Sequence, residues 1–191
     1  MGFGKSSPID RPYSVDYYCD WLESFINKCK LESPHILAHS FGARVAIKYL
    51  GERGGDADRL IITGGAGIVK PRSPRYMRQV KAYRRIKKLF PKFAEKHFGS
   101  KEYRTLSPVM KESYKLIVNE DLREYAAKIK NRTLLIYGRD DTVTPANEEG
   151  EIFNKLIVGS RLILLDGGHF CFSEHPEEFN RTIYKFLMEE V

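Results

Sequence analysis

Four short runs of apolar residues recur along the chain, each ending in glycine or a polar residue. They are His35-Ile36-Leu37-Ala38, Arg59-Leu60-Ile61-Ile62-Thr63, Thr133-Leu134-Leu135-Ile136-Tyr137 and Arg161-Leu162-Ile163-Leu164-Leu165. Unbroken apolar runs of this length fit strands buried on both faces. Elsewhere the spacing changes to three and four. Val15, Tyr18, Cys19, Leu22, Phe25, Ile26 and Cys29 share one face of a helix that Ser14 is placed to cap. Ala43 to Leu50 reads as a second helix, ended by Gly51, Gly54 and Gly55. About Glu177 to Met188 reads as the last, with Phe179, Ile183, Phe186 and Leu187 on one side. Such strands alternating with helices predict an α/β fold, a parallel sheet flanked by helices.

The alternation breaks between the second and third strands. Residues 67–130 are long, basic and helical in pattern, with Val80, Tyr83, Ile86, Phe90 and Phe93 forming a stripe. This segment is expected to be a helical insertion, so the core divides into 1–66 and 131–191 around it. Met1 to Pro12 is rich in Gly, Ser and Pro and reads as loop. There is no internal repeat and no low-complexity stretch.

Composition narrows the class. A chain of 191 residues, 42% hydrophobic and 30% charged, is expected to form one globular domain with an insertion. No apolar run approaches the roughly 20 residues of a membrane-spanning helix. Cys19, Cys29 and Cys171 have neither metal-type spacing nor the even count of a disulfide framework. No secretory pattern opens the chain, so a cytoplasmic location is the expectation. The net charge of +7 first suggests nucleic acid or an anionic membrane. Its distribution changes that reading. Lys70 to Lys115 holds 15 Lys and Arg against 3 Glu, leaving 17 basic against 22 acidic residues elsewhere. The surplus belongs to the insertion, where recruitment of an anionic substrate competes with a solvated face or an RNA- or membrane-binding helix over 78–92.

In parallel α/β proteins the chemistry sits at the carboxyl ends of the strands. Here those ends carry Ser40, the Asp140-Asp141 pair and His169. Ser40 lies in Ala38-His39-Ser40-Phe41-Gly42, between a strand and a helix. A nucleophile on so sharp a turn needs small residues two positions to either side, which Ala38 and Gly42 supply. The same turn aims the Phe41 N–H, at a helix N-terminus, toward an oxyanion formed at Ser40.

These segments resemble the α/β-hydrolase family over essentially the whole chain, from Gly2-Phe3-Gly4-Lys5-Ser6 to the C-terminal helix. The Gly-X-Ser-X-Gly elbow is present with Ala38 in place of its first glycine. Gly138-Arg139-Asp140-Asp141-Thr142-Val143-Thr144-Pro145 resembles the acid-bearing segment, in which the acid stands three residues after the glycine; that selects Asp141 over Asp140. Asp166-Gly167-Gly168-His169 resembles the Gly-His segment. The resemblance implies a Ser40–His169–Asp141 triad that cleaves a small carboxylic ester or thioester through an acyl-enzyme, with no cofactor and no metal. It also places the basic insertion at the family's cap position, over the acyl pocket. Lactone and carbon–carbon hydrolysis stay open; a serine nucleophile argues against the dehalogenase and epoxide-hydrolase branches.

One departure carries weight. In the family, four strands and a His-Gly loop precede the segment that Gly2-Phe3-Gly4-Lys5-Ser6 resembles, and this sequence does not contain them. The chain is therefore expected to be the C-terminal portion of such a hydrolase, truncated or completed by another chain. The second oxyanion donor would be missing, a loss of about 100- to 1000-fold in turnover. Strand 35–39 would be an open apolar edge, inviting self-association as a homo-oligomer. A weakly active or inactive interaction module is the alternative function. Three further motifs fail. Gly4-Lys5-Ser6 lacks the earlier glycine and strand of a phosphate loop. Met1-Gly2 with Ser6 matches a myristoylation pattern too short to carry weight. Cys171 lies near His169 but not on an elbow.

Overall fold

The apolar runs form strands because their neighbours can bury both faces. The structure, a computed structural model, describes residues 2–71, 77, 78, 80–83, 85, 103 and 105–189. Ile86, Phe90, Phe93, His97 and most of the basic stretch 78–92 lie outside the described residues. The chain divides into two compact units, Met1–Tyr13 with Val69–Asn119, and Ser14–Ile68 with Glu120–Val191.

In the first unit, helix α3 (Pro108–Val118) opens on Ser107, whose hydroxyl accepts from the Met110 N–H at 3.2 Å. Ser113 of that helix accepts from the Tyr13 N–H at 2.9 Å, tying the N-terminal loop to it.

The second unit holds the sheet. Strands β1 (Ile36–His39), β2 (Arg59–Thr63), β3 (Arg132–Gly138) and β4 (Arg161–Leu165) lie parallel in the order β1-β2-β3-β4. The expected parallel α/β sheet is present. β2 and β3 are central, and Leu60, Ile61, Ile62, Leu134, Leu135, Ile136 and Tyr137 are almost wholly buried. β4 is half-covered, as a strand at the sheet edge must be.

Helices cover both faces. Ile61, Leu134, Ile136 and Leu165 of the sheet pack with Cys171 from α5 (Cys171–Glu174) and with Phe179 and Phe186 from α6 (Pro176–Met188). On the other side α2 (Phe41–Gly51) packs against β1 and β2, and α1 (Val15–Lys28) against α2. Residues 120–130, which the sequence places in the insertion, belong to the sheet unit: α4 (Arg123–Ala126) packs on α2, with Leu122, Ala126 and Ile129 buried. The buried Lys48 of α2 reinforces this, pairing with Asp16 of α1 at 2.8 Å and with Glu120.

Two local expectations change. Ser14 occupies the cap position of α1, but its side chain makes no capping hydrogen bond. The stripe of α1 is only partly buried: Val15, Tyr18, Cys19 and Ile26 are inside, whereas Phe25 and Cys29 are exposed. Phe25 instead stacks on Trp21, ring centroids 5.5 Å apart. That side of α1 borders a shallow groove along β1, lined by Tyr18, Trp21, Leu22, Leu37 and Phe41. Leu37 in the middle of β1 is 52% exposed, and among the described residues no strand pairs with the outer edge of β1.

Candidate active site

Ser40 is the single residue between β1 and α2, and the chain turns sharply there. Its backbone has φ 51° and ψ −111°, outside the regions open to non-glycine residues at low cost. Such a conformation costs about 1–3 kcal/mol and needs support from its surroundings. The Ser40 N–H donates to the Thr63 carbonyl at 3.1 Å, and the Ser40 carbonyl accepts from Ala43 and Ala66 at 3.2 and 3.3 Å. A Cβ at Gly42 would lie 3.8 Å from that of Ala38, so the two small residues flank the turn with space for a methyl pair and little more.

From this turn the Ser40 hydroxyl meets His169. Oγ lies 2.9 Å from Nε2, and Nδ1 of the same ring lies 2.8 Å from Oδ2 of Asp141. Asp141 is fully buried at its side chain and His169 is 10% exposed. Burial would raise the Asp141 pKa, but hydrogen bonds from His169, Thr144 and Val143 outweigh it and hold the carboxyl below its ordinary value. The Val143 and Thr144 N–H groups donate to Oδ1 at 2.8 and 2.9 Å. Asp140 is exposed, and its backbone N–H instead donates to the Gly167 carbonyl at 3.0 Å.

Two glycines allow the loops to converge. Gly138 ends β3, and a Cβ there would lie 2.1 Å from the Gly168 carbonyl. Only without a side chain can the acid-bearing and His-bearing segments come this close. Gly64 follows β2 with φ +51°, and a Cβ on it would stand 3.2 Å from His169 Nδ1 and 3.4 Å from Asp141 Oδ2. Its loop is fastened from below, because buried Glu149 accepts from the Gly67 and Ile68 N–H groups, both at 3.0 Å.

Sequence reasoning gave no role to Thr144 or Gly64. The Thr144 hydroxyl lies 2.8 Å from Asp141 Oδ2, 2.9 Å from the Gly64 carbonyl and 3.2 Å from His169 Nδ1. The signal was present in its place three residues after the acid, where a threonine can bond back to the carboxylate. Phe41 begins α2, its N–H at the helix N-terminus and its ring edge-on to Tyr18 with centroids 5.0 Å apart. Cys171 is buried and burial pushes its thiol up, the opposite of an activated nucleophile.

The fold that holds these residues at the ends of β1, β3 and β4 has counterparts. The sequence profile of the Alpha/beta hydrolase family matches residues 1–182. The chain belongs to that family. Within the alpha/beta hydrolase family it is 29% identical to the AB hydrolase superfamily protein YisY of Bacillus subtilis (strain 168), over 97% of this chain and 78% of that protein. It is 25% identical to 2-hydroxy-6-oxononadienedioate/2-hydroxy-6-oxononatrienedioate hydrolase 2 of Pseudomonas putida, over 97% of this chain and 74% of that one. Among solved structures, the esterase EaEST from Exiguobacterium antarcticum shares the fold with a TM-score of 0.75 at 24% identity, covering 99% of this chain and 79% of its own. Its relatives are hydrolases. Among the described residues no group of three or more His, Cys, Asp or Glu could hold a metal ion, and no helix is long and apolar enough to cross a membrane.

Proposed function

We propose that this chain is a serine hydrolase that cleaves a small carboxylic ester or thioester through an acyl-enzyme on Ser40. The observation that carries this reading is the unbroken hydrogen-bonded series from Ser40 Oγ through His169 to Asp141, at 2.9 and 2.8 Å, beginning at a strained turn. With Nδ1–H donated to Asp141, the lone pair of His169 Nε2 faces the Ser40 hydroxyl. His169 removes that proton as Oγ attacks the carbonyl carbon. Asp141 stabilises the imidazolium and holds the ring. The negative charge on the carbonyl oxygen develops toward the Phe41 N–H. His169 then passes its proton to the leaving group, and a water activated by His169 releases the acid.

The excess of positive charge in the segment 70–115 makes an ester bearing a carboxylate or phosphate the first substrate to try after a neutral p-nitrophenyl ester. The test of the reading is stoichiometric labelling of Ser40 by a fluorophosphonate, located by mass spectrometry, together with p-nitrophenyl ester turnover. Labelling elsewhere with no turnover would sink it. Within the same reading Thr144→Val should lower kcat roughly tenfold, the usual scale for one hydrogen bond beside a charge. The two backbone donors to Asp141 remain in that variant, so the effect stays moderate. An unchanged kcat would remove Thr144 from the mechanism.

A second reading is favoured by the outer edge of β1. With Leu37 half-exposed and, among the described residues, no strand paired on its outer side, the edge is a template for a second copy of the chain. The expected result is concentration-dependent association in sedimentation velocity. Leu37→Lys, which puts a charge on the edge, should return the chain to monomer. A wild-type chain that stays monomeric at high concentration ends this reading.

A further inference from the structure

The base and the nucleophile are held by strands that are not neighbours. His169 follows β4 and Ser40 follows β1, with β2 and β3 between them. Asp141 anchors the imidazole from the β3 side, and the Gly64 loop lies beneath it from β2. On the β1 side stands His39, the residue before the nucleophile. Its Nε2 lies 3.0 Å from the backbone carbonyl of His169.

We propose that His39 is a positioning residue, whose Nε2–H grips the His169 carbonyl and so fixes the imidazole relative to Ser40. This deepens the reading of Ser40 as nucleophile and rests on it. A carbonyl oxygen only accepts, so His39 must carry its proton on Nε2 for the contact to be a hydrogen bond. The surroundings suit a neutral ring. Burial lowers the His39 pKa and outweighs the hydrogen bond to the His169 carbonyl, which raises it; the charge of His169 lowers it further and Asp141 pulls the other way. Packing holds the ring in place as well: its centroid lies 4.7 Å from that of His169, 5.3 Å from Phe170 and 4.9 Å from Phe172. Three aromatic or imidazole side chains of the His-bearing segment, His169, Phe170 and Phe172, therefore close around a side chain of β1. The hydrogen bond links the peptide of the base to the residue adjoining the nucleophile across 130 positions of sequence. It is separate from the Ser40–His169 bond, which breaks and reforms in each cycle. A displacement of about 1 Å in such a pair costs on the order of 100-fold in rate.

The experiment has two arms on the full chain. In the first, ring-nitrogen spectra of uniformly 15N-histidine-labelled protein at neutral pH, with His39 assigned by its loss in His39→Gln, read the tautomer without reference to activity. Protonated Nε2 with unprotonated Nδ1 is expected; protonation at Nδ1 overturns the proposal. In the second arm, His39→Phe keeps a ring of similar volume but has no donor, whereas His39→Gln keeps an N–H at comparable reach. His39→Phe should lose roughly 10- to 100-fold in kcat with KM within about twofold, and His39→Gln should stay within about threefold. Equal losses in both, or losses that follow a fall in Tm, make His39 a packing residue and overturn the proposal. A wild-type chain with no ester turnover would instead refute the hydrolase reading, while the tautomer arm still decides whether His39 holds the His169 carbonyl.

Discussion

Ser40→Ala is expected to abolish turnover, a fall on the order of 10⁶ in kcat, because removing the nucleophile of an intact triad removes the covalent route entirely. His169 and Asp141 would remain hydrogen-bonded at 2.8 Å, but with no hydroxyl 2.9 Å from Nε2 to activate. Since the members act as a unit, adding His169→Gln to Ser40→Ala should cost little more. The variant also separates chemistry from stability. Alanine at φ 51° is as strained as serine, so Tm should hardly move. Ser40→Gly should be equally inactive yet more stable by about 1 kcal/mol, because glycine adopts that conformation without the Cβ penalty. Steady-state assay with a p-nitrophenyl ester and thermal denaturation of the three variants beside wild type check all of this. Residual activity above one-tenth of wild type in Ser40→Ala would place the chemistry elsewhere.

The parts of this fold that were readable in sequence are those where one physical demand dominates. Runs such as Leu60-Ile61-Ile62 and Leu134-Leu135-Ile136 can be satisfied only in the middle of a covered sheet, and they lie there. The glycine and small-residue pattern around Ser40 has no purpose except a tight turn, and the turn is present with its positive φ. Competing demands were harder to separate. Phe25 and Cys29 fit the helical stripe of α1 as well as Tyr18 and Ile26 do, but they are exposed, Phe25 stacking on Trp21 instead of entering the core. Leu122 and Ala126 continue the insertion in sequence and pack with the sheet unit in space, because α2 offers them an apolar face. Thr144 and Gly64 were the hardest to read, and for His39 the family resemblance implied only a packing or polar-support residue beside the nucleophile. What each does depends on an atom 25 to 130 positions away, a carbonyl or a ring nitrogen that residue type alone does not reveal.

Asp141→Asn is the sharper test of the triad, and its outcome follows from which oxygen each donor reaches. Oδ1 accepts from the Val143 and Thr144 N–H groups, whereas Oδ2 faces His169 Nδ1 at 2.8 Å. The asparagine carbonyl must take the Oδ1 place, since two backbone donors point at it. Its NH₂ group then faces His169 and donates to Nδ1, which moves the imidazole proton to Nε2. In that tautomer Nε2–H points at Ser40 Oγ and cannot accept its proton. A fall of about 10⁴ in kcat is expected, with the fold intact and KM little changed. The pH dependence has a definite sign. The Asp141 carboxyl is held below its ordinary value of 3.8 by hydrogen bonds from His169, Thr144 and Val143 that outweigh the opposing effect of burial. Its ionised form therefore stabilises the folded chain fully above that value. This stabilisation is lost as the pH falls through the lower folded-state value. Asparagine does not titrate, so the Tm advantage of wild type over Asp141→Asn should be largest near neutrality and shrink on acidification below about pH 4. Thermal denaturation at pH 7 and pH 3 reads the difference. A gap that widens in acid, or a kcat reduced less than tenfold, would show that His169 takes its orientation from something other than Asp141.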